Sequence, residues 1–299
     1  MRSVPLVSVV VITFNRASLL KRALNSVFKQ TFQNFEVVLV DDASNDNTLE
    51  VISDFSDERI IYIRHDENKG EAISRNTGVR NVKGKYIAFL DDDDVWLPEK
   101  LQLQVGLLNN SSEDTGAVYS GFRELDIATS QVISTFTPQK SGLIFQHLLK
   151  GNFITISSIL LKKTCFDNAG FFDETIAYGL DYDMWLRISE KYKFIYIGEP
   201  LVNYSIHKNR LSFNWDIQIR GSEKILNKYS KSFAVNPESL CSQYYKLGKL
   251  YFLNRNSLMG RRFFLKALKL NPAQIRIYLI IFLSYVAGGY LHKKLEKQF

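Results

Sequence analysis

The chain has 299 residues, 45% of them hydrophobic, and a formal net charge of +7, which is enough for a sizeable core in one large or two modest domains. Its two cysteines, Cys165 and Cys241, are too few for a disulfide framework, and with no Cys/His cluster they point to a reducing compartment and no zinc. The charge is uneven: residues 216–299 carry 15 Lys and Arg against 4 Asp and Glu, while the first 215 residues stand at −4.

The N-terminal "MRSVPLVSVVVITFN" superficially resembles a signal peptide. Its β-branched run and the lack of a small-residue cleavage site read instead as a buried strand. Strand-like apolar runs follow at "FEVVLV" (35–40), "RIIYIR" (59–64) and "KYIAFL" (85–90), after the first at 6–13. Between them Ser18–Gln30, Asn47–Phe55 and Glu71–Val79 have helical spacing. Alternating strands and helices, with strands apolar on both faces, predict an open and largely parallel α/β sheet.

In such sheets ligands bind beyond the C-terminal ends of the strands. The first strand is followed by "TFNR", the second by "DDASND" and the fourth by "DDDD". Four consecutive carboxylates repel one another and are relieved by spreading into solvent or by binding a cation. Both a solvated acidic loop opening a helix and a divalent-metal site are therefore open at this point. No GxGxxG follows the first strand and no GxxxxGK[ST] is present, so neither a dinucleotide cofactor nor a P-loop is expected.

Residues 115–215 mix strands with short helices, and "LDYDMWLRIS" has the spacing of an amphipathic helix with Asp181 near its start. Residues 216–299 read as basic and helical. Within them Tyr244, Leu247, Gly248, Tyr251, Gly260, Phe264, Ala267 and Pro272 match one tetratricopeptide-like helix pair. No segment reaches the ~18–20 uninterrupted apolar residues that span a bilayer. The nearest, Ile277–Leu291, is fifteen residues long and contains two glycines. A basic, apolar tail suits an anionic membrane surface, with a buried packing helix as the alternative for Ile277–Leu291, and without a recognisable binding signature nucleic acid is not an expected partner.

Together "VSVVVITFNR", "FEVVLVDDASNDNT", "RNTGVRNVKGKYIAFLDDDD" and "LDYDMWLRIS" resemble, in order and spacing, the family 2 glycosyltransferases of the GT-A fold. The resemblance covers roughly residues 5–215. It implies a GT-A catalytic domain over 1–215, with a nucleotide-binding half (1–110) and an acceptor half (111–215), followed by the helical region 216–299. It further implies inverting transfer of one sugar from a nucleotide diphosphate sugar to a glycan or lipid-linked glycan, with Mn²⁺ or Mg²⁺. The cysteine usage and the basic, apolar tail suggest a setting that is cytoplasmic, or peripheral on the inner face of the cell membrane. The QxxRW signature and spanning helices of the processive synthases are absent from the sequence.

Carried onto this chain, the family pattern makes Asp93 the preferred metal ligand and Asp91 the other member of the D-x-D pair. Asp92 is placed for the ribose hydroxyls, and Asp94 either supports the ligands or caps the next turn. Asp42 falls where the family reads the base, which favours UDP, and Asp41 orients the loop. Thr13 and Asn15 lie near the nucleotide. Arg16 and Arg75 are candidates for diphosphate or base contact, with a surface salt bridge as the alternative for either. Asp181 matches the general base that takes the acceptor proton. The family's preceding glutamate is here Leu180, and Asp183 is the fallback, otherwise solvated. His207, with Ser212 in the same loop, is a candidate for metal or phosphate contact or a structural residue. A non-catalytic nucleotide-binding scaffold that docks partners through its C-terminal helices is the alternative. A nucleotidyltransferase is disfavoured because "TFNRAS" is no glycine- and lysine-rich phosphate loop.

Overall fold

The computed structural model describes residues 4–207 and 214–286; Ser212 lies outside the described residues. Contacts divide the chain into two units. One comprises Met1–Phe145, Phe153–Glu174 and Asp181–Lys208, and the other Gln146–Asn152, Thr175–Leu180 and Asn209–Phe299.

The first unit is built on one twisted mixed sheet. Its parallel half contains β1 (Val7–Thr13), β2 (Phe35–Asp41), β3 (Ile60–Arg64) and β4 (Tyr86–Asp91), connected by α1 (Ala17–Phe28), α2 (Thr48–Phe55) and α3 (Glu71–Arg80). A two-residue strand β5 (Val95–Trp96) and helix α4 (Lys100–Asn109) then lead to a long hairpin, β6 (Thr115–Asp126) and β7 (Val132–Phe136). Past helix α5 (Phe145–Lys150), which belongs almost wholly to the second unit, strand β8 (Ile159–Lys162) and helices α6 (Thr164–Ala169) and α7 (Leu180–Ser189) come next, and β9 (Lys193–Ile206) closes the sheet. The strand order is β3-β2-β1-β4-β8-β6-β9-β5, with β7 paired to β6. β8 runs antiparallel to both β4 and β6, and β6 is parallel to β9. This is a GT-A arrangement.

β1 and β2 are buried along almost their whole length, which explains their continuous Val/Ile/Leu character. Glu36, near the start of β2, is held by Ser8 Oγ and Lys83 N, each donating at 2.6 Å. Helix α3 packs close enough that a Cβ on Gly78 would lie 2.4 Å from Val10 Cγ1. The parallel register sets Thr13 opposite Asp41 and Ile12 opposite Asp91, so three strand ends finish in one row.

The second unit is helical: α8 (Trp215–Lys228), α9 (Ser230–Ala234), α10 (Pro237–Leu253), α11 (Ser257–Leu270) and α12 (Ile275–Val286). Three of its helices open on an asparagine whose side chain accepts a backbone N–H three residues on: Asn214 from Ile217, Asn236 from Ser239, Asn256 from Met259. That is N-capping, worth ~1 kcal/mol each. Helices α10 and α11 interlock through reciprocal glycine–phenylalanine contacts. A Cβ on Gly248 would meet Phe264 at 2.7 Å, and one on Gly260 would meet Phe252 at 2.5 Å. No helix among the described residues is long and apolar enough to cross a membrane.

Candidate active site

Thr13 ends β1, and the carboxylate run begins at the end of β4, the strand beside it. The loop after β4 is fixed by its own side chains. Asp94 is fully buried, accepting from Ser157 Oγ at 2.6 Å and from Ser205 N at 3.0 Å. Ser157 Oγ also accepts from Asp91 N at 3.1 Å, and Trp96 Nε1 donates to Ser157 O at 2.7 Å. Asp94 therefore ties the loop to β9 and to the turn before β8.

On this anchored loop Asp92 and Asp93 are brought against β1 and the end of β9. Thr13 Oγ1 donates to Asp92 Oδ2 at 2.8 Å, and Arg16 Nη1 bridges Asp92 Oδ1 at 3.0 Å and Asp93 Oδ2 at 3.2 Å. His207 Nε2 lies 2.9 Å from Asp93 Oδ2. Arg16 thus makes an ion pair, but inside the site. Burial pulls its guanidinium down, and the carboxylates of Asp92 and Asp93 outweigh that and raise it. Burial pushes the Asp92 carboxyl up to about 7; the charge of Arg16 opposes the rise, and Asp93 adds to it.

Arg75, 1% exposed on α3, donates through Nη2 to Asp91 at 2.6 Å and to Glu71 at 2.7 Å. Burial lowers its pKa, but the two carboxylates raise it above the ordinary arginine value. Its Nη1 is buried with no partner among the described residues. One carboxylate oxygen each from Asp91, Asp93 and Asp94 lie within 4.8 Å of one another, close enough to share a cation. An all-oxygen set of this kind suits Mg²⁺ or Mn²⁺. Asp94 accepts on both of its oxygens, whereas the partners of Asp93 meet only its Oδ2 and Arg75 meets only Oδ1 of Asp91, so Asp91 and Asp93 are the members with capacity for a metal, with His207 beside them.

The second strand end is separate and equally well braced. Asp41 accepts from Ser44 N and Tyr62 Oη, each at 2.8 Å. Asp42 is buried; its Oδ1 meets His65 Nδ1 at 2.7 Å and Lys69 N at 2.9 Å, and its Oδ2 accepts from Gly70 N at 2.8 Å. His65 Nε2 contacts Thr77 Oγ1 at 3.0 Å, extending the chain to α3. Asn15 links this loop to the first: its N–H donates to Ser44 Oγ and its Oδ1 accepts from Asn45 N. Asn15 and Ala43 both adopt left-handed backbone, at φ 53° and 67°. For a non-glycine residue that strain is a cost of ~1–2 kcal/mol, concentrated here in the two strand-end loops.

Asp181 opens α7, half-buried, with Tyr182 N donating to its Oδ1 at 2.7 Å. Asp183 differs from expectation. It is fully buried and paired with Arg187, whose Nε and Nη2 both lie 2.9 Å from its Oδ2. It faces inward because it lies on the same side of α7 as Arg187, one turn later, so it is a structural ion pair and not a solvated reserve base. The residues that sequence reading missed are His65, Ser157 and Ser205, which contact the carboxylates, and Thr77 and Glu71, which hold His65 and Arg75.

A parallel sheet edge carrying buried, arginine-braced carboxylates, continued by a mixed half in which β8 runs antiparallel to β4 and β6, has the GT-A form. Residues 8–161 match the family model "Glycosyl transferase family 2", and the chain belongs to that family. An uncharacterized glycosyltransferase of Rickettsia prowazekii is 30% identical over 212 residues, covering 68% of this chain and 64% of that protein; the chain thus spans just under two thirds of that relative's length. The Escherichia coli UDP-Glc:alpha-D-GlcNAc-diphosphoundecaprenol beta-1,3-glucosyltransferase WfgD is 30% identical over 260 residues, 85% of this chain and 93% of that one. Among solved structures, the mannosyltransferase PcManGT from Pyrobaculum calidifontis, in complex with GDP-Man and Mn²⁺, superposes with a TM-score of 0.63. It shares 19% identity, with 98% of this chain and 83% of that one covered.

Proposed function

We propose that the protein is a non-processive inverting glycosyltransferase that moves one sugar from a nucleotide diphosphate sugar to a glycan or lipid-linked glycan. The observation that carries this reading is the cluster at the ends of β1 and β4, where Thr13, Arg16, Arg75 and His207 converge on Asp91, Asp92 and Asp93. In the proposal Asp92, held by Thr13, meets the ribose hydroxyls. Arg16 and the unused Nη1 of Arg75 are cations at hand for the diphosphate. Asp91 and Asp93, with His207, hold Mg²⁺ or Mn²⁺, which when bound supplies Lewis-acid neutralisation of the leaving diphosphate.

The acceptor hydroxyl attacks the anomeric carbon in a single displacement while Asp181 takes its proton. Asp42 reads the base. Three of the roughly four acceptor sites on its carboxylate are occupied by His65, Lys69 and Gly70, which leaves one on Oδ2 for a pyrimidine N3–H. This favours a UDP-sugar, in keeping with the donor in the name of WfgD; the GDP-Man of the PcManGT complex marks the competing donor class. A lipid-linked acceptor, as in the name of WfgD, would bring the protein to the cytoplasmic face of a membrane.

A thermal-shift panel of UDP, GDP, dTDP and CMP, each with Mn²⁺ and with EDTA, tests the reading. Binding to the native state raises stability by an amount set by concentration over Kd. A metal-dependent shift with UDP is expected. A silent panel would overturn the proposed site.

A further inference from the structure

The second unit carries a surface that sugar transfer does not explain. From Ser239 to Leu295 the sequence contains ten Lys and Arg and no Asp or Glu. In a chain where acids and bases are otherwise nearly balanced, such a run concentrates one sign of charge on one element group. Helices α11 and α12 lie within it.

Helix α12 packs Ile277 into the helical core, and Ile280, Ile281 and Leu283 pack against the same cluster. Its opposite side is also apolar. Ile275, Tyr278, Leu279, Phe282 and Tyr285 are 51–80% exposed. At 100° per residue these five fall within an arc of about 120°, one continuous outward stripe. Contiguous exposed apolar surface of this kind marks an interaction site. Exposed Arg276 flanks the stripe, and Arg261 stacks over the Tyr285 ring at 4.2 Å. The neighbouring α11 presents exposed Arg262, Lys266 and Lys269 together with Leu265.

We propose that this face docks on an anionic lipid bilayer, with the α12 stripe seated among the headgroups and acyl ends and the α11 cations on the lipid phosphates. The chemistry matches on both counts. An apolar stripe bordered by Lys and Arg is the signature of a helix lying in the interface plane, and its two tyrosines carry the polar tip and apolar body that favour that depth. Acid-free positive charge complements an anionic surface and would add nothing toward a neutral one. Along the described residues Ile275–Val286, α12 keeps one side in the helical core and turns the stripe outward, so the contact is parallel to the surface. A second copy of this chain would bring the same positive charges together. The apolar stripe is also what a nucleic-acid partner would leave unused. The inference depends on no step of the proposed transfer reaction.

Vesicle flotation of the full chain tests it, using phosphatidylcholine alone and phosphatidylcholine with phosphatidylglycerol. The nucleotide thermal shift is measured on the same preparation, so that loss of the donor site and loss of the lipid contact are read separately. Flotation on the anionic vesicles is expected to exceed that on neutral ones by about tenfold or more, and to fall with added salt. Leu279→Ser with Phe282→Ser, and Phe282→Ser alone should the double variant misfold, is expected to cut flotation several-fold at unchanged nucleotide shift. Arg262→Gln with Lys266→Gln and Lys269→Gln is expected to remove the preference for anionic vesicles. Absence of flotation, or equal flotation on both vesicles, would overturn the proposal. So would a concentration-dependent dimer that the Leu279/Phe282 variant dissolves, or oligonucleotide binding that survives that variant and outcompetes the vesicles.

Discussion

The sheet edge of the first unit and the helices of the second solve opposite problems with charge. At the edge, carboxylates are buried or half-buried, and each has named donors: Asp94 from Ser157 and Ser205, Asp92 from Thr13 and Arg16, Asp42 from His65 and two backbone amides. In the helical unit the run from Ser239 to Val286 carries charge of one sign, much of it exposed on α11, and order comes from apolar interlock and asparagine caps. Buried charge needs fixed partners and so yields a preorganised geometry suited to chemistry. Exposed charge on an interlocked scaffold leaves the geometry to packing and is suited to surfaces.

Substitutions at the two regions should therefore fail in different ways. The largest effect is expected at Asp181→Asn. Loss of a general base should lower kcat by roughly 10²–10⁴-fold while the nucleotide thermal shift is kept; near-normal turnover would break the assignment. Next is Asp94→Ala, which strands Ser157 Oγ and the Ser205 amide in a buried loop. Urea unfolding of the metal-free protein should show about 2–4 kcal/mol lost, together with a weaker nucleotide shift. Gly260→Ala should cost about 1–3 kcal/mol by driving a methyl into Phe252, with nucleotide binding unchanged. If it altered nucleotide binding, the contrast between the regions would fail.

The smallest effect concerns Lys100, fully buried under the sheet edge, with Nζ 2.7 Å from Gln104 Oε1 and 4.0 Å from the Trp96 ring centroid. The ring favours the ammonium, but burial outweighs it and holds the pKa well below the ordinary lysine value. Between that lowered pKa and the unfolded value near 10.5 the unfolded chain binds a proton that the native one lacks. Stability should therefore rise with pH across that window and level off above it, by at most about 1.4 kcal/mol per pH unit. Unfolding of the wild type and Lys100→Met at several alkaline pH values would show the slope in the first and its reduction in the second.

Much of the fold is legible in the sequence because β1, β2 and β4 are apolar on both faces and are punctuated by polar strand ends. The helix Leu180–Ser189 was likewise readable from the spacing of Met184, Trp185 and Ile188. The long β6–β9 half was harder, since β7 is mostly exposed and β9 mixes exposed and buried residues and contains Pro200. At the site, the acidic runs announced themselves, whereas the residues that hold them did not. Ser157 and Ser205 meet Asp94 across 63 and 111 residues of chain, and nothing local marks a serine for that contact. His65 had a signal: Arg64–His65 ends β3 on the same edge as the other motifs, and the strand-end rule applies to it as well. The burial of Asp183 is not legible, because helical spacing alone does not distinguish a charge that faces solvent from one that pairs inward with Arg187.

The most direct test is acceptor-dependent release of nucleoside diphosphate. UDP-sugars and GDP-mannose are each incubated with the full chain, Mn²⁺ and a GlcNAc-diphospholipid acceptor, beside Asp181→Asn. Release that requires acceptor, favours a UDP-sugar and collapses in the variant, with an inverted anomeric centre in the product, is the expected result. Tight nucleotide binding with no turnover by the wild type, and no difference in the variant, would contradict it and leave a nucleotide-binding scaffold.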